Sequence, residues 1–488
     1  MIPTLLVCVS LLSAFVPFLT RSARGAALSS AAGSTAVFGL SIAVAIQAFA
    51  ASGTAGAVWY LSPLAGLMVV LISFVGWTAA IASISYLSTE AHEGVITARQ
   101  ARHYGALAAL FVSSMLLVVL SNNLGLMWVA LEATTLTTAL LVAFYARRGS
   151  LEAAWKYLIL CSMGIALGFM GVMLVYAAAA SVGMSGFAAL DFSALLHGAS
   201  TLPPALMRLA FAFVLVGFGT KVGLVPMHAW LPDAHSSAPS PISGMLSGIL
   251  LTTALFAILR YRVLVDAALG STQYTETLFL AFGALTTVVS ALFILVQLDY
   301  KRLLAYSSIE HMGLTVFALG LGVPGAIIAI IHLVGHALAK PLLFFGAGNV
   351  LLRFQSTKFE RVWGVVRALP YTGGFFLFGL LALLAVPPSP LFMSEYLLMA
   401  TAVMQHAYLF VAIAVALVLV FTGFARAFFP FIFSRAELPS QVVSPEGERW
   451  NSAHTAMALH AGLILLFGIA LFAGYAFPII SRIASSLS

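Results

Sequence analysis

The sequence predicts an all-α polytopic membrane protein of about fourteen transmembrane helices, arranged as two inverted five-helix repeats with broken helices. Three observations carry that prediction. The chain is 62% hydrophobic and only 8% charged, where soluble domains carry roughly 25% charged residues. Apolar blocks recur along it with short polar gaps, each of the roughly 20 residues needed to cross a hydrocarbon core about 30 Å thick. Prolines interrupt several blocks beside a charged residue, and irregular backbone at membrane depth is tolerated only within protein or along a wet cavity.

Taken in order, the blocks lie near 2–20, 34–52, 61–87, 104–121, 124–145, 154–180, 206–228, 237–260, 275–297, 303–322, 325–352, 372–399, 404–430 and 454–482. The first lacks the basic flank that precedes a signal peptide, since Arg21 and Arg24 follow it, so it is expected to remain as a helix. Residues 1–103 would hold the first three helices, 104–260 and 261–430 the two repeats, and 431–488 a loop and the last helix. The gaps at 181–205 and 431–453 read as loops. Cys8 and Cys161 fall in different blocks, which argues against a disulfide framework or a metal–sulfur cluster.

The net charge of +7 follows the membrane rather than a nucleic-acid partner. With the N-terminus outside and the chain alternating sides, the inner loops hold Arg21, Arg24, Arg99, Arg102, Arg147, Arg148, Lys156, Lys301, Arg302, Arg353, Lys358, Arg361, Arg367, Arg426, Arg435 and Arg449. The outer side holds only Arg208, Arg260, Arg262 and Arg482. This asymmetry satisfies the positive-inside rule and predicts a cytoplasmic (inner) membrane protein with both termini outside. Two lysines, Lys221 and Lys340, are left inside spans.

Ionisable groups at bilayer depth cost at least about 2.5–3.5 kcal/mol each and normally face a bundle interior with a task. The candidates are Glu132, Lys221, Glu310, His311, His332, His336, Lys340 and Glu395. One isolated member could be a paired structural group; eight together would impose a large unrewarded cost. In IIHLVGHALAKPLLFF (330–345), His332, His336 and Lys340 recur every four residues and line one helix face over roughly 12 Å. Histidine protonates near neutrality, and a desolvated lysine alternates between charge states, so the three form a ladder of proton stations. The i, i+4 spacing of His332 and His336 would suit a zinc site, but no HExxH glutamate or third ligand stands near them in sequence, and no metal is expected.

Pro341 follows Lys340 directly, Pro226 follows Lys221 by five residues, and Pro390 precedes Glu395 by five. Proline removes a helical hydrogen bond and clashes with the preceding turn, so a break is predicted at all three places. Broken helices at corresponding places in two halves mark transporter folds with inverted repeats. Glu132, the only charge in its block, would hold Lys221 protonated if the two came within reach.

The stretches KVGLVPMHAWLPDAHSSAPSPISGMLSG, LLAYSSIEHMG and HLVGHALAKPLLF resemble the antiporter-like membrane subunits of respiratory complex I and its relatives. Those relatives include membrane-bound hydrogenases of the formate-hydrogenlyase type and multisubunit cation/proton antiporters. The resemblance spans roughly 60–430, and the wording is most like the hydrogenase-4 group. It implies proton translocation along a hydrated axis of polar residues at mid-depth. Glu132 then takes the place of the charged modulator of the first half, and Lys221 that of the lysine on the broken seventh helix. His332, His336 and Lys340 match the eleventh-helix relay, and Glu395 the charge on the broken twelfth. One departure stands out: where many relatives carry a lysine on the eighth helix, this chain has Thr252, so His311 or water would have to link Lys221 to His332. A second is length, since the chain stops soon after the fourteenth block and is expected to be a compact subunit without a long lateral helix.

The resemblance therefore implies a proton-translocating, non-redox membrane subunit of a multisubunit redox-driven complex, of the hydrogenase or complex I-like NADH dehydrogenase type. Its partners would be other membrane subunits, a peripheral redox module and the lipid bilayer. The alternative is a subunit of a multisubunit cation/proton antiporter carrying sodium or potassium. Autonomous redox chemistry finds no support, because there is no iron–sulfur cysteine set and GFGTKVG lacks the spacing of a phosphate loop; its glycines read as close helix packing. No cofactor is expected.

Overall fold

The computed structural model describes residues 1–51, 54–56, 58–434 and 447–487. It is helical almost throughout. In chain order the helices are α1 (Ile2–Ser13), α2 (Ala23–Ala51), α3 (Pro63–His92), α4 (Ala98–Leu120), α5 (Leu124–Val142), α6 (Arg148–Ser181), α7 (Phe192–His197), α8 (Pro204–Val222), α9 (Trp230–Ser237) and α10 (Ser240–Met245). After a π-helical turn at Leu246–Leu250 come α11 (Leu251–Leu269), α12 (Gln273–Leu295), α13 (Tyr300–Leu319), α14 (Gly322–Phe354), α15 (Val365–Ala368), α16 (Pro370–Leu383), α17 (Pro390–Gln405), α18 (Ala407–Phe433), α19 (Ser452–Phe472) and α20 (Phe477–Ala484).

Each of the fourteen predicted blocks contains a helix. Among the described residues, eleven helices are long and apolar enough to cross a membrane, α10 to α11 counting as one. α13 has the length, but its serines, Glu310 and His311 lower its hydropathy. The seventh block ends in a non-helical stretch and the twelfth is split into two shorter helices, as the prolines predicted. Several boundaries are set by caps that hydropathy does not see. Ser62, Thr97, Asn123, Asp299 and Ser389 each accept hydrogen bonds from first-turn amides, satisfying donors that have no partner inside the helix.

α8 ends at Gly223, whose φ of +87° is left-handed and suits a residue with no Cβ. Residues 223–229 are non-helical before α9 begins. Upstream, α8 lies so close to α6 that a methyl group at Gly217 would fall 2.3 Å from the backbone nitrogen of Gly168. GFGTKVG is thus a packing surface followed by a chain break. The second break, residues 384–389, separates α16 from α17.

The third predicted break is absent: α14 runs unbroken through Pro341. Its ring is received by α10 and the π-helical turn, where Gly244 and Gly248 have no side chain and lie against it; a methyl at Gly248 would be 2.8 Å from Pro341 Cγ. Proline removes one hydrogen bond and needs room for its ring, and a neighbouring glycine face supplies the room. The remaining helical bonds and near-complete burial keep α14 continuous.

α14 is the axis of the C-terminal half and packs against α3, α10, α13, α16, α17 and α19. α13 and most of α14 are buried, so their polar residues face protein rather than lipid. Three of the basic residues assigned to loops are instead buried on helices. Lys301 is buried on the first turn of α13 and its Nζ donates to the carbonyl of Ala238, 2.7 Å away, at the C-terminus of α9; a cation is favourable at that negative end. Arg260 and Arg262 are buried on α11, Arg260 with its guanidinium 4.5 Å from the Tyr60 ring and 4.7 Å from that of Phe192. Apolar windows stop at a charge, whereas the fold buries a charge wherever a carbonyl or ring can receive it. The stretch 181–205 also carries α7, tied to the start of α5 by Asn122 and Asn123. Of the stretch 431–453, residues 435–446, including Arg435, lie outside the described residues.

Candidate functional site

The eight sequence-chosen residues fall into two clusters. In the first, Lys221 stands on the last turn of α8, just before the break, and is fully buried. Its Nζ donates to the carbonyl of Leu131 at 3.0 Å and to Thr135 Oγ1 at 2.5 Å, both on α5. Thr135 in turn donates to Glu132 Oε2 at 3.0 Å, and Ser162 donates to the other carboxylate oxygen at 2.9 Å. Glu132 and Lys221 therefore communicate through one hydroxyl rather than by a direct ion pair. Thr135 is oriented for this: having given its proton to the carboxylate, it accepts from the ammonium.

The second cluster forms where α13, α14 and α17 meet. His332, His336 and Lys340 are fully buried on α14. His332 Nε2 lies 2.9 Å from His311 Nδ1 on α13, and its Nδ1 lies 2.9 Å from Ser394 Oγ on α17. Glu395 follows Ser394 and is half-buried. His336 approaches His311 with ring centroids 5.5 Å apart. Lys340 Nζ donates to the Leu304 carbonyl at 2.9 Å and to the hydroxyl of Ser307. Glu310 Oε2 lies 3.6 Å from Nε2 of its neighbour His311. A cavity of about 280 Å³ adjoins the cluster, lined by Ser307, Glu310, His311, Glu395, Phe421 and Phe424 among others.

The two buried lysines share a bonding pattern. Each reaches a helix carbonyl and a hydroxyl, and among the described residues neither has a carboxylate within ion-pair distance. Such partners receive an ammonium without fixing it as firmly as a carboxylate would, because an uncompensated carboxylate left behind is far costlier than a freed hydroxyl.

No hydrogen bond among the described residues joins the two clusters. Thr252 does not: its hydroxyl donates back to Ile249 and Gly248 of its own helix. Nor does His311, whose partner is His332 within the second cluster. The helix α9 runs between the clusters: its Trp230 donates to the Thr220 carbonyl of α8 at 2.8 Å, and its His235, fully buried and outside the candidate set, stacks on Phe344 of α14 with ring centroids 5.6 Å apart. Neither ring nitrogen of His235 makes a hydrogen bond among the described residues, and the same holds for His336. The signal in PMHAWLPDAH is two histidines close to a proline break, but the apolar blocks leave His228 at the end of one and His235 in the gap before the next. Thr135, Ser162, Ser307 and Ser394 were also missed, since serine and threonine in apolar helices mostly bond their own backbone.

A model of the NADH:quinone oxidoreductase/Mrp antiporter transmembrane family matches residues 121–422, the stretch that carries both clusters. The chain belongs to this family. It is an antiporter-like, multi-pass membrane subunit. It is 39% identical over 364 residues to a hydrogenase-4 component F homolog of Methylacidiphilum infernorum, covering 74% of this chain and 76% of that protein. It is 30% identical to NADH-quinone oxidoreductase subunit N of Desulforudis audaxviator, over 73% of this chain and 68% of the other. Hydrogenase-4 component B of Escherichia coli (strain K12) is also 30% identical, over 69% of this chain, which spans about half of that relative's length (49%). Among solved structures, a chain of the membrane-bound sulfane sulfur reductase, an archaeal respiratory membrane complex, superposes with a TM-score of 0.85 at 23% identity, covering 99% and 97% of the two chains. A chain of respiratory complex I from Thermus thermophilus gives 0.76 at 24% identity, covering 99% and 100%. At these identities the two structures show that the antiporter-like subunit shares their fold.

Beyond the membrane spans, one titratable group of this subunit is strongly organised. Burial alone would raise the Glu448 carboxyl, but hydrogen bonds from His454 and from the Thr372 hydroxyl and amide outweigh it and hold the carboxyl below the ordinary carboxylate range. Glu448 Oε1 is 2.9 Å from His454 Nε2, and its oxygens receive the amides of Tyr371 and Thr372 at the start of α16. A carboxylate there complements the positive end of the helix and ties α16 to α19.

Proposed function

We propose that this chain translocates protons as a membrane subunit of a redox-driven complex of the hydrogenase or complex I type, and itself performs no redox chemistry. The relay consists of Glu132 and Lys221 in the first cluster and His311, His332, His336, Lys340 and Glu395 in the second. Residues 104–260 and 261–430 are the two repeats, one holding the first cluster and the other the second. The observation that carries this reading is the pair of fully buried lysines, each held by a carbonyl and a hydroxyl and each near a series of hydrogen-bonded side chains: Thr135 to Glu132, and His311 through His332 to Ser394. Groups so expensive to bury reward the protein only by changing charge state. His235 is the titratable side chain placed to pass charge between the clusters.

The partners are read from the relatives, whose names describe components of hydrogenase-4 and of NADH-quinone oxidoreductase. The distribution of inner and outer basic residues, sixteen to four in sequence and fifteen to two once the buried Lys301, Arg260 and Arg262 are set aside, supports residence in the cytoplasmic membrane with both termini outside. Purification of the intact membrane complex tests the partnership. A nickel–iron hydrogenase or NADH-oxidising module should co-purify, and proton uptake by vesicles should require its turnover. Uptake driven by a sodium or potassium gradient without a redox donor would overturn the redox coupling. Alkaline phosphatase fused to the C-terminus should be active; an inactive fusion would reverse the topology.

A further inference from the structure

We propose that His311, His332 and Glu395 form a binding site for a divalent cation of the zinc class. Sequence spacing argued against a metal, because the pair His332 and His336 has no third ligand nearby. The fold selects a different set. One ligand atom from each of His311 on α13, His332 on α14 and Glu395 on α17 lies within 4.8 Å of the others. Two imidazoles and a carboxylate plus a water make a four-coordinate site with one open position, a donor set suited to zinc.

The geometry needs little adjustment. His311 Nδ1 and His332 Nε2 are 2.9 Å apart, and tetrahedral coordination at zinc–nitrogen distances of about 2.0–2.1 Å would separate them by about 3.3 Å. Coordination also requires both facing nitrogens to be bare. The N–H now between them moves to the far side: His332 keeps its proton on Nδ1, toward Ser394, and His311 carries its own on Nε2, toward Glu310. Both far-side partners are already in place, Ser394 Oγ at 2.9 Å and Glu310 Oε2 at 3.6 Å. Outer partners of this kind fix ring orientation and tautomer at metal sites.

A second observation points to a ligand independently. Glu310 is 1% exposed, its Oε1 has no hydrogen-bond partner among the described residues, and it lines the 280 Å³ cavity together with His311 and Glu395. The cavity, walled on its far side by Val418 and Phe421 of α18, leaves a place for the ion's water. Two carboxylates, one coordinating and one in the outer layer, balance the charge of a dication in an apolar setting.

Zinc bound here would sit between two proton stations, so it should compete with protons and block translocation; that consequence alone rests on the relay proposed above. The test is equilibrium dialysis of the purified, chelator-washed complex against zinc chloride, with X-ray absorption at the zinc edge. The expected result is one zinc per subunit with imidazole scattering, weakening as pH falls because protonated ligands cannot bind. His311→Ala, His332→Ala and Glu395→Gln should lose that zinc. His336→Ala, which alters a neighbouring histidine outside the set, should keep it. Should an alanine variant fail to assemble, Ser394→Ala and Glu310→Gln serve instead, with affinity expected to fall about 10–100-fold. No zinc in the wild type, or equal binding in all variants, overturns the site and leaves the relay untouched. Zinc bound as expected without inhibition of proton uptake confirms the site and overturns the relay at this cluster.

Discussion

Thr135 is the residue on which the first cluster turns, because among the described residues it alone bonds both Glu132 and Lys221. Thr135→Val preserves the branched shape within α5 and removes only the hydroxyl. The lost hydrogen bond to a charged group contributes about 1.5–3 kcal/mol, and 1.4 kcal/mol is a factor of about ten. If each translocation cycle loads a proton on Lys221, Thr135→Val should slow proton uptake about tenfold to a hundredfold. Thr135→Ser, which restores the hydroxyl, should recover most of it. Coupling through the hydroxyl makes a further demand: with Glu132→Gln already present, Thr135→Val should cost markedly less than it does alone, since the two changes break the same chain. The assay is proton uptake by vesicles, divided by the amount of assembled complex. Uptake by Thr135→Val within twofold of wild type, or strictly additive effects in the double variant, would refute the bridge.

Lys221→Ala and Lys340→Ala should each reduce proton uptake by about a hundredfold or more while leaving membrane insertion intact; normal uptake with the complex assembled would remove that lysine from the path. His311→Ala should impair uptake, and Thr252→Lys should not rescue it, because His311 serves His332 and not the region of Thr252; rescue would restore His311 as the link between clusters. Glu448→Ala should lower thermal stability by about 1–3 kcal/mol at neutral pH, having freed buried donors on α16 and α19. Since folding depresses the Glu448 carboxyl, its contribution is complete above the unfolded value of about 4.3 and is lost as pH falls through the lower folded value. Stability curves of mutant and wild type should therefore converge only in acid, and a constant gap across the whole range would contradict the shift. Gly217→Val should abolish accumulation of the folded subunit, because α6 leaves no room beside Gly168; normal yield would disprove the close contact.

Composition and hydropathy determined most of the architecture. A chain this apolar must form helices in a bilayer to satisfy its backbone, so block length alone located the helices, and prolines beside Lys221 and Glu395 located the two breaks. Buried charge named the site residues for the same reason: an ion at bilayer depth is conspicuous against apolar neighbours. What sequence could not decide depends on which helices touch. Pro341 is indistinguishable from Pro226 in the chain, yet one lies in a continuous helix because glycines of another helix receive its ring, and the other lies in a break. Whether Glu132 reaches Lys221 directly or through Thr135 is a matter of side-chain reach across α5 and α8. His311, His332 and Glu395 stand far apart in sequence and on three helices, so no spacing rule could join them. Hydropathy is a one-dimensional sum over neighbours along the chain. Ligand sets and charge pairs are made between neighbours in space, and only tertiary packing chooses those.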